Sequence, residues 1–288
     1  MNAAMPEFPP RGSCDSHVHV IGPKSRFPMA AGHRYTPMDA SAAELAAMLA
    51  RLRLDRVVLV QPSFYGTDNA CMLAAMAELK ASRGVAVLPE RMAETALAEL
   101  HAQGIRGLRV NIASVGPASA ETVRQSVEAA ARLCEVHGWH VQLFVSSDAI
   151  EPLAPILAAL PVDSVFDHFG LISPGAGNGA RRALLRLLES GKTWVKISGA
   201  YRIAEDPNDP RIDPLARRLC EANPERIVWG SDWPHTPTHT LQKSGSEESP
   251  FQNIDTRGLL DLLPRWLEDD ALVHRVLVSN SALLYDFD

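Results

Sequence analysis

The 288-residue chain is poor in cysteine: it has four, Cys14, Cys71, Cys134 and Cys220, with no CxxC pair and no compact Cys/His cluster. That scarcity excludes a disulfide framework and a zinc ribbon, and the thiols are expected to be reduced. Basic charge is not in excess either, since 28 Lys and Arg face 34 Asp and Glu for a formal net charge of −6. Sequence-independent nucleic-acid affinity needs Lys/Arg stripes, so a phosphate-backbone binder is excluded. No apolar run approaches the roughly 20 residues that span a bilayer. Even the greasiest stretch, 153–162, is broken by Pro155 and Pro161. The N-terminus lacks the basic and apolar halves of a secretion signal, and residues 1–12 read as a flexible extension. A soluble cytoplasmic protein without nucleic-acid or membrane partners is expected, of unknown oligomeric state. A GxGxxG turn and a P-loop are also missing, which removes the usual marks of a dinucleotide or nucleoside triphosphate site.

What the chain does have is a regular alternation of short β-branched runs with longer Ala/Leu/Glu/Arg-rich segments. This is the pattern of βα units building a parallel sheet. Eight strands are expected, at 15–20, 56–61, 84–88, 105–112, 140–145, 164–169, 193–198 and 226–230. The seven steps from first to last average about 30 residues, the size of one βα unit. Ser41-Ala-Ala-Glu44 has the spacing of a capping box, and Gly104, Gly138 and Gly191 each stand between a helical segment and a strand. The fold class expected is α/β, a single-domain (β/α)8 TIM barrel over residues 1–288. A last helical segment, 270–284, is expected to pack on its exterior. In such barrels the active site gathers at the carboxyl ends of the strands.

Those strand ends are polar. The first reads Asp15-Ser-His17-Val-His19, which at period 2 aims both imidazoles into the mouth. The fourth ends Arg109-Val-Asn111, the sixth Asp167-His168, the seventh runs into Ser198 and Arg202, and the eighth closes in Trp229-Gly-Ser-Asp232-Trp-Pro-His235. Each residue alone could serve packing or capping. Together they place three imidazoles, a carboxylate and two guanidiniums around one pocket.

The HxH of the first strand, Asp167-His-Phe-Gly170, Trp194-Val-Lys-Ile-Ser-Gly199 and Trp229-Gly-Ser-Asp-Trp-Pro-His235 resemble the amidohydrolase superfamily. Ser63-Phe-Tyr-Gly-Thr-Asp-Asn69 and Gly104-Ile-Arg-Gly-Leu-Arg-Val-Asn111 narrow the resemblance to its metal-independent lactonase branch, typified by 2-pyrone-4,6-dicarboxylate lactonase. It spans nearly the whole chain, from Asp15 to Tyr285. The resemblance implies a hydrolase that opens a small acidic lactone. Asp232 would activate water, His17, His19 and His168 would polarise the carbonyl, and Arg109, Arg202, Tyr35 and Ser63 would bind substrate. Zinc-dependent members usually add a histidine on the fifth strand; here that position is Gln142 or Phe144, depending on register. No metal is therefore expected to be required, although His17, His19 and Asp232 alone form a facial set for a single divalent ion such as zinc. The pyrone enzyme carries a further arginine where this chain has Val115. The missing charge points to a lactone with one carboxylate or sulfonate, of muconolactone or aldarolactone type. Two alternatives stay open: a mononuclear zinc hydrolase or decarboxylase of the same superfamily, and a non-catalytic barrel that binds a sugar acid or lactone.

Overall fold

The computed structural model describes residues 8–113, 119–237 and 247–288. Eight parallel strands follow one another around a barrel in chain order. They are β1 (Cys14–Val18), β2 (Arg56–Val60), β3 (Ser82–Ala86), β4 (Ile105–Asn111), β5 (His140–Phe144), β6 (Ser164–Phe166), β7 (Thr193–Ser198) and β8 (Ile227–Gly230). Helices α1 (Ala42–Leu52), α2 (Ala70–Glu78), α3 (Glu94–Ala102), α4 (Ala120–Glu135), α5 (Ile150–Ala159), α6 (Asn178–Glu189), α7 (Ile212–Ala222) and α8 (Thr256–Leu267) follow the strands in turn. The eightfold alternation is thus the TIM barrel expected. A separate pair, Glu248–Ser249 beside Thr36–Pro37, lies outside the barrel wall.

Local chemistry sets the joints. Ser41 begins α1 through the capping box, with Glu44 N–H donating to Ser41 Oγ at 3.2 Å and Ser41 N–H to Glu44 Oε2 at 2.7 Å. Gly104, at φ +96°, takes the left-handed turn between α3 and β4 that a side chain would strain. The main apolar core lies between sheet and helices, where strand residues such as Leu59, Leu108, Val141, Leu143 and Ile197 meet the helical faces. All four cysteines are free and buried. Inside the barrel the filling is mixed: Gln142, His140, Lys196 and Arg109 sit there, buried, beside a small apolar cluster.

The wall closes at one seam. Strands β1 and β8 meet through Asp232 N–H donating to the His17 carbonyl at 2.9 Å and His19 N–H to the Trp233 carbonyl at 2.8 Å. The Asp15 carboxylate adds to it, accepting the Ser231 N–H at 2.8 Å. The two strands come so near that a Cβ on Gly230 would stand 2.7 Å from the His17 nitrogen, so only glycine fits.

The last helical segment does more than cover the exterior. Asp270–His274 continues through a π-helical turn, Arg275–Ser279, into Asn280–Tyr285. Its final residue, Tyr285, plugs the lower end of the barrel against Cys14, Val58, Val60 and Val85. The ring lies edge-on to His140 at 5.4 Å, and its hydroxyl has no hydrogen-bond partner. At the other terminus, Phe8 packs against the core and Gly12 N–H donates to Asp55 at 2.5 Å, while residues 1–7 lie outside the described residues.

The plug separates two substitutions. Tyr285→Ala leaves a cavity and is expected to cost about 3–5 kcal/mol, as other large aromatic truncations do. Tyr285→Phe removes only an unpaired buried hydroxyl and is expected to be neutral or stabilising. Urea midpoints of the two variants check this; a Phe variant as unstable as the Ala variant would refute it.

Candidate active site

The seam that closes the barrel also carries the site. His17 and His19, two apart on and just beyond β1, both face Asp232, whose left-handed backbone at φ +64° turns it back over the barrel mouth. His17 Nε2 and His19 Nε2 stand 3.8 and 3.6 Å from Asp232 Oδ1. His168 Nε2 lies 3.8 Å from Oδ2. All four side chains are buried.

His168 reaches this cluster against the strand rule. Successive strand residues point to opposite faces, so Asp167 and His168 should diverge. The chain instead enters left-handed backbone at His168, Phe169, Gly170 and Leu171, with φ values of 47°, 55°, 64° and 51°. That strained turn brings His168 into the mouth beside Asp167, which extended backbone already aims inward. Ser198 then meets His168 Nδ1 at 2.9 Å.

The two guanidiniums come to the same place but are not idle. Arg202 Nε donates to Asp232 Oδ2, and Nη2 reaches Thr236 Oγ1 at 3.2 Å. Tyr201 Oη donates to the same carboxylate oxygen at 2.7 Å. Arg109 donates Nε and Nη2 to Asp167 Oδ2 at 3.3 and 3.2 Å. Its plane lies 5.1 Å from the Phe144 ring. Both still line a cavity of about 180 Å³ with His19, Tyr35, Ser63, Asn111, Phe144, His168 and Thr236. That volume suits a single small ring rather than a drug-sized ligand.

Of the residues expected at the site, His19, His168, Arg109, Arg202, Tyr35 and Ser63 line the cavity, while Asp232 and His17 are fully buried and do not line it. His17 lies just beneath the cavity, fully buried. Asp167, Tyr201, Lys196 and Thr236 were not expected. A sequence signal existed for Asp167 in its place beside His168 and two residues beyond Val165, which pairs with the inward-facing Gln142. His235 backs Tyr201 at 3.4 Å and is held by Thr256 at 2.8 Å. Phe64 and Tyr65 do not line the cavity; they pack below Tyr35, the Phe64 ring edge-on to it at 5.6 Å. Arg181 and Arg182 sit on α6, away from the cavity lining. Val115 and His239 lie outside the described residues.

Register on β5 is now decided. Asn111 pairs with Phe144 and Arg109 with Gln142, so Phe144 stands at the mouth and Gln142 one layer below, fully buried. Neither Phe144 nor the deeper amide supplies a fourth ligand at the level of the histidines. The remaining donor set nevertheless fits one cation. Asp232 Oδ1 and His17 Nε2 are buried without a hydrogen-bond partner, and with His19 they form a set whose ligand atoms lie within 4.8 Å of one another. His19 spends its Nδ1 proton on the Val60 carbonyl at 2.7 Å, so a neutral ring shows Nε2 to Asp232 as a lone pair.

Electrostatics keep Asp232 charged and the His17 and His168 rings neutral. Burial opposes ionisation of Asp232, but the Arg202 guanidinium and the surrounding imidazoles outweigh it and hold the carboxyl well below its ordinary value. Burial pushes His17 well down, and His168 down to about 4. Burial lowers the Lys196 ammonium to about 8 and raises the Asp15 carboxyl to about 7.

The family model for amidohydrolases matches residues 14–287. The chain belongs to the amidohydrolase family. This amidohydrolase is 33% identical to a 4-sulfomuconolactone hydrolase of Rhizobium radiobacter, over 96% of this chain and 90% of that protein. It is 31% identical to a 2-pyrone-4,6-dicarboxylate hydrolase of Comamonas testosteroni, over 99% and 93%. A solved structure of a probable 2-pyrone-4,6-dicarboxylic acid hydrolase from Acinetobacter baumannii, with citric acid bound, matches with a TM-score of 0.79 at 27% identity. The match covers 96% of this chain and all of that one. Among the described residues, no helix is long and apolar enough to cross a membrane.

The buried rings give the amidohydrolase an acid-sensitive fold. His140, His168 and His235 bind protons in the folded chain only near pH 3, 4 and 4, against an ordinary 6.5, with burial the leading cause. Below 6.5 the unfolded chain therefore binds more protons, and stability falls as pH falls toward 4. Asp15 works the other way, keeping its proton up to about 7 in the fold, but it is one group against three. Urea midpoints are expected to drop steadily from pH 7 to pH 4.5, with the slope reduced by about one proton in His140→Gln. A midpoint that rises on acidification would contradict this.

Proposed function

We propose that this amidohydrolase opens the ring of a small acidic lactone, carboxylate- or sulfonate-bearing and of muconolactone or aldarolactone type. The observation that carries the reading is the convergence of His17, His19 and His168 on one ionised carboxylate, Asp232, at a small cavity walled by two guanidiniums. The relatives named above, which share most of this chain's length, support the substrate class.

Asp232 is the base that takes a proton from the attacking water. Its pairing with Arg202 keeps it ionised, and an anionic substrate that draws part of that guanidinium to itself leaves the carboxylate more basic. His168 is the imidazole suited to polarise the lactone carbonyl as a neutral ring. Ser198 can give its hydroxyl proton to Nδ1, which leaves the Nε2 proton facing the cavity. Arg109, Asn111, Tyr35 and Ser63 line the same cavity, where the acidic group and ring would lie. The reaction as read needs no cofactor. If a divalent ion is present, His17, His19 and Asp232 would hold it, and it would supply Lewis acidity toward the carbonyl. A barrel that only bound a sugar acid would have no use for a base with three imidazoles around it.

A panel of γ- and δ-lactones bearing one or two acidic groups, assayed with and without chelator, tests the proposal. Turnover of at least one monoacidic lactone is expected to survive chelation; loss of all turnover with the metal would move the assignment to a zinc hydrolase. Asp232→Asn is expected to lower kcat by about 100- to 10,000-fold while calorimetry still detects substrate binding. An active Asp232→Asn enzyme would remove Asp232 from its role.

A further inference from the structure

Asp167 has no part in the reaction as read above, yet its carboxylate is buried among charged or titratable neighbours from other strands, His17, Lys196 and Arg109 nearest. Oδ1 stands 3.2 Å from His17 Nδ1, a charge–dipole contact outside hydrogen-bond geometry, and 3.9 Å from Lys196 Nζ. Oδ2 accepts Nε and Nη2 of Arg109 at 3.3 and 3.2 Å. All four side chains are buried. Those partners come from β1, β7 and β4, so one carboxylate just past β6 ties together groups from three other strands.

Two cations beside one carboxylate keep it ionised, and an ionised carboxylate can only accept hydrogen bonds. A neutral imidazole has one ring proton. When one of its nitrogens faces an acceptor-only group, the proton belongs on that side.

We propose that Asp167 is a positioning residue: its carboxylate holds the proton of His17 on Nδ1, which turns a lone pair at Nε2 toward Asp232. His19 reaches the same state by a different route, through the Val60 carbonyl on its own Nδ1. The two rings lie 5.0 Å apart and nearly perpendicular, at 86°. Their lone pairs and Asp232 Oδ1 form an all-acceptor corner, with separations of 3.8 and 3.6 Å from the two nitrogens to the oxygen. Three acceptors facing one point are stable only around a cation or a species that brings protons. A water molecule in that corner gives its two protons to two of the three acceptors, which leaves an oxygen lone pair for the lactone carbonyl. This last step rests on the lactone-opening reading; the tautomer of His17 does not.

The arrangement also accounts for a carboxylate so deep in the barrel. A ring left to itself would populate both tautomers, and the Nε2-protonated one would donate to Asp232 and occupy the base with its own neighbour. Asp167 removes that competitor. Arg109, the cation that lines the cavity, is tied to the same carboxylate, so the anion-binding wall and the water-activating corner keep one relative position.

Side-chain ¹⁵N NMR of the full-length protein, labelled at histidine and recorded with and without chelator, distinguishes protonated from unprotonated ring nitrogens. The His17 proton is expected on Nδ1 in both samples, with assignment by the signal lost in His17→Gln. In Asp167→Asn the amide can donate as well as accept, so His17 is expected to shift toward the Nε2-protonated form. Turnover of the lactone should fall by about 10- to 100-fold, the size seen when the carboxylate behind a functional histidine is removed, while unfolding stays cooperative. A proton on Nε2 of His17 in the unsubstituted protein overturns the proposal. So does a folded Asp167→Asn variant with unchanged tautomer and turnover. If that variant does not fold, the tautomer of the unsubstituted protein decides alone. Because the NMR measurement needs no turnover, a chain that opens no lactone would refute the function and leave the tautomer to be judged separately.

Discussion

Closing the sheet between β1 and β8 is the constraint on which the site depends. The hydrogen bonds that join these strands run through His17, His19, Asp232 and Trp233, the same two stretches of chain that carry the buried carboxylate and two of the imidazoles facing it. Gly230 permits the approach and Asp15 reinforces it with an acceptor for the Ser231 amide. Geometry that would otherwise rely on flexible loops is thereby set by barrel closure. A shift of one residue at the seam would invert the faces presented by β1 and separate the histidines from Asp232.

Within the barrel, charge is handled in pairs. Arg109 sits on Asp167 and Arg202 on Asp232, so each guanidinium at the cavity has a carboxylate behind it. Buried ions are costly unless paired, and pairing here also sets proton positions. An ionised Asp167 fixes one ring of the cluster, a main-chain carbonyl fixes a second, and a serine hydroxyl faces the third. Three chemically identical rings therefore take up different work, because what stands behind each differs. The chain's net charge of −6 offers no general attraction to an anion, and the two guanidiniums at the cavity are already partly engaged by carboxylates.

Much of this was legible from the residues. The eightfold count, the capping box at Ser41 and the polar strand ends all agree with the structure, because strand periodicity and helix caps are local properties of the chain. The cluster of His17, His19, His168 and Asp232 was legible for the same reason, each residue falling at a strand end. Asp167 was not singled out, because strand alternation admits only one of Asp167 and His168 to the mouth, and the left-handed turn at 168–171 is what lets His168 join Asp167 there. The engagement of Arg202 by the base was equally hidden. Spacing shows that a guanidinium is near the mouth but not which carboxylate it meets first. The segment 270–284 was read as an outer helix, although Tyr285, the residue just after it, closes the barrel floor.

The sequence by itself determined the barrel, its eight units and the residue types at its mouth. Those follow from periodicities of two and 3.6 and from caps a few residues long, which act within a single βα unit. Only the tertiary structure decided that Phe144 rather than Gln142 reaches the mouth, that the two arginines stand on Asp167 and Asp232, and which nitrogen of each histidine faces the base. These are relations between strands far apart in the chain. They depend on sheet register and on how the β1–β8 seam closes, and no local pattern of residues encodes either.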